Sequence, residues 1–189
     1  MKRGKLVAIT GPMFAGKTTY LIKVYGDGDG IVVFKPDLDK RYTKRPVVIS
    51  HNRSEIPSVL VNNDRPEEML ELVGDSRTVL VDEVNFFAET VVGVVEKLVK
   101  NGVDVYVAGL NMYADGDSWG PMNELMRLAD EKHELTARCD GEQGKCSAPA
   151  TRSYRKVPEM DRVQVAGAAE YGAACQAHYQ ALHHAPKHS

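Results

Sequence analysis

The chain has 189 residues, 43% hydrophobic and 26% charged, with a formal net charge of −2. That is ordinary globular usage, sized for one full domain or a domain with a small satellite. The near-neutral balance excludes a global field drawing the chain to nucleic acid or anionic lipid, although a phosphate site needs only a local positive pocket. Three cysteines, an odd number, exclude a complete disulfide framework.

In chain order, residues 5–10 (KLVAIT) read as a short buried strand. The basic start followed by Leu6–Ile9 superficially resembles an export signal, but the apolar run is too short. No run approaches the roughly 20 apolar residues that span a bilayer, so a cytoplasmic protein without membrane or nucleic-acid partners is expected. Directly after the strand, Gly11-Pro12-Met13-Phe14-Ala15-Gly16-Lys17-Thr18 fits G-x-x-x-x-G-K-[ST]. The glycines let backbone amides turn inward onto phosphate oxygens, and a helix N-terminus adds positive potential. Lys17 is expected at the β- and γ-phosphates of ATP, and the Thr18 hydroxyl on Mg²⁺.

A helix at 17–25 ends in the Gly-Asp-Gly-Asp-Gly run at 26–30, and residues 31–35 (IVVFK) form a second strand. Weaker strands are expected at 46–50 and 58–61. Pro66, Glu67 and Glu68 open a helix at 66–73, where proline suits the first turn and acids suit the dipole. Residues 78–82 (TVLVD) read as a buried strand ending in Asp82-Glu83; a helix at 89–100 stops at Gly102, and residues 103–110 form a further strand. Continuous apolar strands alternating with helices predict an α/β fold with a parallel sheet covered on both faces.

Carboxylates at the carboxyl edge of a parallel strand sit where ligands bind in such sheets. Asp82 is expected to hold magnesium directly or through water. Glu83 is placed to accept the acceptor hydroxyl's proton, and Lys17 and Arg41 to neutralise charge on the transferring phosphoryl group. After about residue 136 the composition shifts to cysteine, glycine and short polar stretches. We expect three parts: a nucleotide-binding domain over 1–136, a metal-stapled lobe over 137–180 and a frayed tail over 181–189. Cys175-x-x-His178 has zinc-knuckle spacing, while Cys139 and Cys146 have six residues between them. Taken alone this leaves open three buried free cysteines.

These motifs together resemble the type II thymidine kinases, the zinc-containing cellular, bacterial and poxviral family, over residues 5 to 178. Residues 11–18 match that family's own G-P-M-F-[SA]-G-K-[ST]. Lys35-Pro36-Asp37-Leu38-Asp39-Lys40-Arg41-Tyr42 looks like its K-x-x-x-D-x-R-Y, and Asp82-Glu83-Val84-Asn85-Phe86-Phe87 like its D-E-x-Q-F-F. Residues 109–120 resemble its segment that opens G-L-D-x-x-F and closes (F)-G, and Tyr171–His178 its Y-x-x-x-C-x-x-[CH].

The resemblance implies a P-loop NTPase-like sheet with a small zinc lobe, and transfer of the ATP γ-phosphate to the 5′-hydroxyl of thymidine. It implies Glu83 as base, Asp39 in organising magnesium and Arg41 on phosphate. The nucleoside would meet Met13, Phe86, Leu110, Ala114, Trp119, Ser153 and Tyr171 beneath a lasso loop running from about Ser153 to Tyr171. It also implies a structural Zn²⁺ on Cys139, Cys146, Cys175 and His178, and a homotetramer. The chain departs from the family pattern at Asn85, Asn111, Ala114 and Trp119, and the stretch Asp140 to Lys145 makes its first cysteine pair C-x6-C where the family shows C-x-x-C, a four-residue insertion. One aromatic ring buries about 150–250 Å², so the exchanges at 114 and 119 leave a modified pyrimidine deoxynucleoside as an alternative substrate. A P-loop ATPase or nucleic-acid-binding switch is the alternative of another class.

Overall fold

The computed structural model describes residues 2–26, 28–37, 47–49, 55–141, 145–157 and 169–184. Asp39, Arg41, the 158–168 stretch of the expected lasso and the tail beyond 184 lie outside the described residues.

Leu6–Thr10 (β1), Ile31–Pro36 (β2), Val59–Val61 (β5), Thr78–Val81 (β6), Asp104–Ala108 (β7) and Glu131–Glu134 (β8) form one sheet in the order β5-β2-β6-β7-β1-β8. Every neighbouring pair is parallel. The other described sheets are two-stranded and antiparallel. They pair Val47–Ile49 (β3) with Glu55–Pro57 (β4), Ala137–Arg138 (β9) with Pro149–Ala150 (β10), and Arg152–Arg155 (β11) with Tyr171–Ala174 (β12). The helices are Lys17–Gly26 (α1), Met69–Leu72 (α2), Val91–Lys100 (α3), Met122–Leu128 (α4) and Gln176–His184 (α5).

The period of two along a strand divides the apolar run of β1 between two cores. Leu6 and Ala8 join the face covered by α3 and α4, with Val79, Val81, Val105, Val107, Val95 and Leu125. Val7 and Ile9 join the other, with Leu21 of α1, Leu80, and Val48 and Ile56 from β3 and β4. This two-sided burial is why β1 and β6 read as continuous hydrophobic runs. In α3, residues 91, 94, 95, 98 and 99 are buried, an i, i+3, i+4 stripe.

Three elements differ from the sequence reading. The expected helix at 66–73 is a 3₁₀ turn, Pro66–Glu68, leading into α2. Strand β8 carries no apolar pattern: Glu-Lys-His-Glu lies at the sheet edge, where charge discourages pairing with another chain. It is held by its register with β1, by Lys5 on Glu131 at 2.7 Å, and by Asp130, which accepts the Leu6 N–H at 2.8 Å. Helix α5 runs to His184, so the segment read as frayed from 181 continues a helix that begins beside Cys175.

Candidate active site and metal centre

The carboxyl ends of β1, β7 and β6 lie side by side, with β7 between the other two. The strand end between them must be slim, and Gly109 occupies it. A Cβ there would stand 2.8 Å from Asn85 Oδ1 and 2.9 Å from Val84 Cγ1. Gly109 donates its N–H to Ile9 O at 3.1 Å, and Thr10 Oγ1 donates to Gly109 O at 3.1 Å. The phosphate-loop motif and the acidic strand end are thereby brought to one edge.

Residues 11–16 link β1 to α1. Gly11, Phe14 and Gly16 take positive φ values of 147°, 66° and 87°, so the turn depends on left-handed backbone that glycine adopts without strain. Lys17 folds back and donates from Nζ to Gly11 O at 2.9 Å and Pro12 O at 2.8 Å. Loss of water around its ammonium lowers its pKa to about 8, against the opposing pull of Asp82 and Glu83.

Thr18 Oγ1 donates to Asp82 Oδ2 at 3.0 Å, and the Glu83 N–H donates to Asp82 Oδ1 at 3.0 Å. Asp82 is 5% exposed, and burial pushes its carboxyl above the usual range despite those donors. Glu83 is half-buried and likewise pushed up, by burial first and then by the charge of Asp82. Lys35 Nζ stands 3.9 Å from Glu83 Oε2. Glu83 itself is left-handed, φ 53° and ψ 37°, which turns the chain directly from β6 into the 3₁₀ turn Val84–Phe86. For a side chain that can form no local Asx bond this costs on the order of 1–3 kcal/mol, strain of the kind found at functional sites.

Next to this turn lies an aromatic group that the sequence only partly disclosed. Trp119 packs edge-on to Phe86, ring centres 4.9 Å apart, and stacks on Tyr113 at 4.4 Å with 12° between planes. A small hairpin over 111–119 presents them: Met112 bridges Ser118, Tyr113 N–H donates to Asp117 O, and Trp119 N–H donates to Asn111 O. Asn85 holds the start of this segment, its Oδ1 accepting the Leu110 N–H at 2.9 Å. Ala114 is buried. From the other side, Ser153 Oγ accepts the Met13 N–H at 2.9 Å, joining β11 to the phosphate loop. Tyr171, 7% exposed, pairs with Arg155 at the far end of the β11–β12 ribbon.

The sequence reading therefore named Met13, Lys17, Thr18, Asp82, Glu83, Phe86, Leu110, Ala114, Trp119 and Ser153 in segments that the fold brings to one region. It named no role for Lys35, Gly109, Asn85, Tyr113, Arg152 or Tyr179. Lys35 and Asn85 lie inside quoted motifs, so spacing offered a signal for them. Tyr113 pairs with Trp119 only through the hairpin, which no pattern announced.

The four expected metal ligands converge. Cys139, Cys146, Cys175 and His178 offer ligand atoms that all lie within 4.8 Å of one another. Cys139 and Cys175 are buried and are brought together across the small sheets. Cys139 Sγ accepts N–H groups from Cys175 at 3.2 Å and Gly141 at 3.4 Å. Cys175 is lowered to about 7, first by the His178 backbone N–H. A Cβ on Gly141 would stand 2.4 Å from His178 Nδ1. Gly141, between the first two cysteines, is thus small enough to seat the imidazole, and the C-x6-C spacing still brings both thiols to the cluster. Three sulfurs and one imidazole in this arrangement fit a structural zinc ion.

The family model for thymidine kinase matches residues 4–179. The chain belongs to the thymidine kinase family. It is also similar to a thymidine kinase from Bacteroides thetaiotaomicron, 34% identical over 182 residues, covering 94% of this chain and 88% of that protein. The match spans residues from β1 through the cysteine-histidine cluster. No helix among the described residues is long and apolar enough to cross a membrane.

Proposed function

We propose that this kinase transfers the γ-phosphate of ATP to the 5′-hydroxyl of thymidine. The observation that carries the reading is the 3.0 Å hydrogen bond from Thr18 to Asp82, which sets the phosphate loop against the acidic strand end. Residues 11–18 would bind the triphosphate, and Thr18, Asp82 and Asp39 would organise Mg²⁺, which would neutralise phosphate charge when bound. Glu83 takes the 5′-hydroxyl proton as the oxygen attacks in line. Its raised pKa moves it toward the working pH, where a general base is most effective. Lys17 and Arg41 stabilise charge on the transferring group.

The base would lie between Phe86, Trp119, Leu110 and Ala114 on one side and Met13, Ser153 and Tyr171 on the other, with main-chain groups of the lasso reading its edge. Zinc has a structural task in this reading. It ties the ends of the lasso, in a lobe over 137–180 distinct from a nucleotide-binding domain over 1–136. Assembly as a homotetramer in the cytoplasm completes the proposal.

One observation favours a second reading of the base. The Tyr113–Trp119 stack beside Ala114 redistributes aromatic surface relative to the family's phenylalanine pattern, which suits a 5-substituted or otherwise modified pyrimidine deoxynucleoside. Labelled-phosphate transfer across deoxynucleosides, with each nucleoside triphosphate as donor, tests both. Thymidine with ATP is expected to give the highest kcat/KM. Preference for a modified pyrimidine selects the second reading, and ATP hydrolysis without any acceptor sinks both.

A further inference from the structure

Helix α5 extends from the expected metal lobe into the segment expected to be a frayed tail, and it places one side chain where the hairpin needs support. Tyr179 follows His178 directly, and its N–H donates to Cys175 O at 2.9 Å, so the first turn of the helix fixes it beside the metal ligands. Its side chain leaves the metal cluster and reaches the hairpin, where the hydroxyl donates to Ala114 O at 2.9 Å. Tyr179 is only 9% exposed, and a Cβ on Gly116 would stand 3.2 Å from its hydroxyl. The hairpin therefore carries a glycine where the phenol approaches.

Arg152 completes the link. Its guanidinium carbon lies 5.7 Å from the centre of the Tyr179 ring, within cation–π range. Its Nε donates to Gln176 Oε1 at 3.2 Å, and a terminal nitrogen meets the Met112 sulfur in the same hairpin. The residue after Arg152 is Ser153, which holds the Met13 N–H of the phosphate loop. One tyrosine–arginine pair thus links the first arm and the turn of the hairpin to the metal-bearing helix and to the strand that touches the phosphate loop.

We propose that Tyr179 and Arg152 are positioning residues for the nucleoside pocket: they fix the 111–119 hairpin, and with it Ala114 and Trp119, at the distance the base requires. Alanine at 114 brings no ring to anchor the hairpin by its own packing, so the anchoring comes from a hydrogen bond to its carbonyl and from Arg152. This inference rests on the kinase reading above for the identity of the ligand, though not for the existence of the bracket.

The test is Tyr179→Phe, which removes one hydroxyl and keeps the ring. Losing one neutral hydrogen bond is expected to raise the nucleoside KM by about three- to tenfold, with kcat, the KM for ATP and the zinc content per chain unchanged. Trp119 is the chain's only tryptophan, so its emission reports the hairpin directly, and a shift in the variant without substrate is expected. Arg152→Lys, which keeps charge but loses the planar fork, should move the same two readouts in the same direction.

Unchanged nucleoside KM and unchanged Trp119 emission in both variants overturn the proposal. So does loss of zinc, or an equal fall in every kinetic parameter, because the pair would then serve stability alone. A wild-type enzyme that phosphorylates no nucleoside overturns the substrate reading instead, and the emission measurement still decides the bracket.

Discussion

The parallel sheet and the cysteine-bearing region solve the same problem by different physics. The sheet positions its site through burial: β1, β6 and β7 are packed from both faces, and their ends have little freedom to move. The region after 137 has a core of small residues, Ala150, Ala173 and Ala174 with the cysteines and Tyr179, and its described strands form two short pairings, of two and four residues. Such a core buries little apolar surface, and on the zinc reading four metal ligands would make up the difference. The difference teaches that the phosphate-binding half should tolerate metal loss and the pocket-closing half should not.

The largest expected effect breaks that comparison most directly. Structural zinc in small modules contributes about 10–16 kcal/mol of apparent folding energy. Stripping the metal, or Cys175→Ser, should open residues 137–184 to proteolysis while the sheet keeps its far-ultraviolet signal. Full protection of that region at zero zinc content defeats the metal assignment.

Next comes Glu83→Gln. General-base losses cost about 10²–10⁴ in turnover, and ATP binding should survive. Near-normal kcat removes Glu83 from the role. Leu80→Ala then sharpens the contrast from the other side. Leu80 is fully buried, and truncation should cost about 2–5 kcal/mol, read as a lower denaturant midpoint at unchanged zinc stoichiometry. A midpoint within error of wild type contradicts the two-sided core.

The smallest effect concerns pH. Lys17 is lowered to about 8 from an ordinary 10.5. A polyanionic triphosphate beside it favours the charged form, so binding takes up a proton above pH 8, and affinity should fall as pH rises through 8 to 10, by at most about tenfold per unit. Calorimetry at pH 9 in buffers of different ionisation enthalpy measures the uptake; zero uptake contradicts the lowered value. The same depression has a stability sign. Between pH 8 and 10.5 the unfolded chain holds the proton and the folded one does not, so this residue's contribution to stability rises with pH across that window.

The sheet was legible because buried parallel strands write themselves as apolar runs and the glycine-lysine loop has a fixed grammar between strand and helix. Leu6–Ile9, Val79–Val81 and residues 11–18 are all of that kind. β8 was not legible, since Glu131–Glu134 is defined by its pairing with the distant strand Val7–Thr10 and not by its own pattern. α5 was hidden for a related reason: Gln176–His184 is weakly amphipathic, and what orders it is the Cys175–His178 pair at its first turn. The metal ligands could be named because their chemistry is rare. The bracket from Tyr179 to Ala114 could not, because a tyrosine beside a histidine carries no periodic or compositional signal.

The backbone at Glu83 has a consequence for anyone engineering this molecule. Glycine adopts that left-handed turn freely and carries no carboxyl group to bury against Asp82. A library sorted for thermal endurance alone should therefore converge on Glu83→Gly, gaining melting temperature and, with Glu83 as the proposed base, discarding turnover. The residue persists against its own conformational preference, and the size of that gain would measure how much robustness the enzyme forgoes for reactivity.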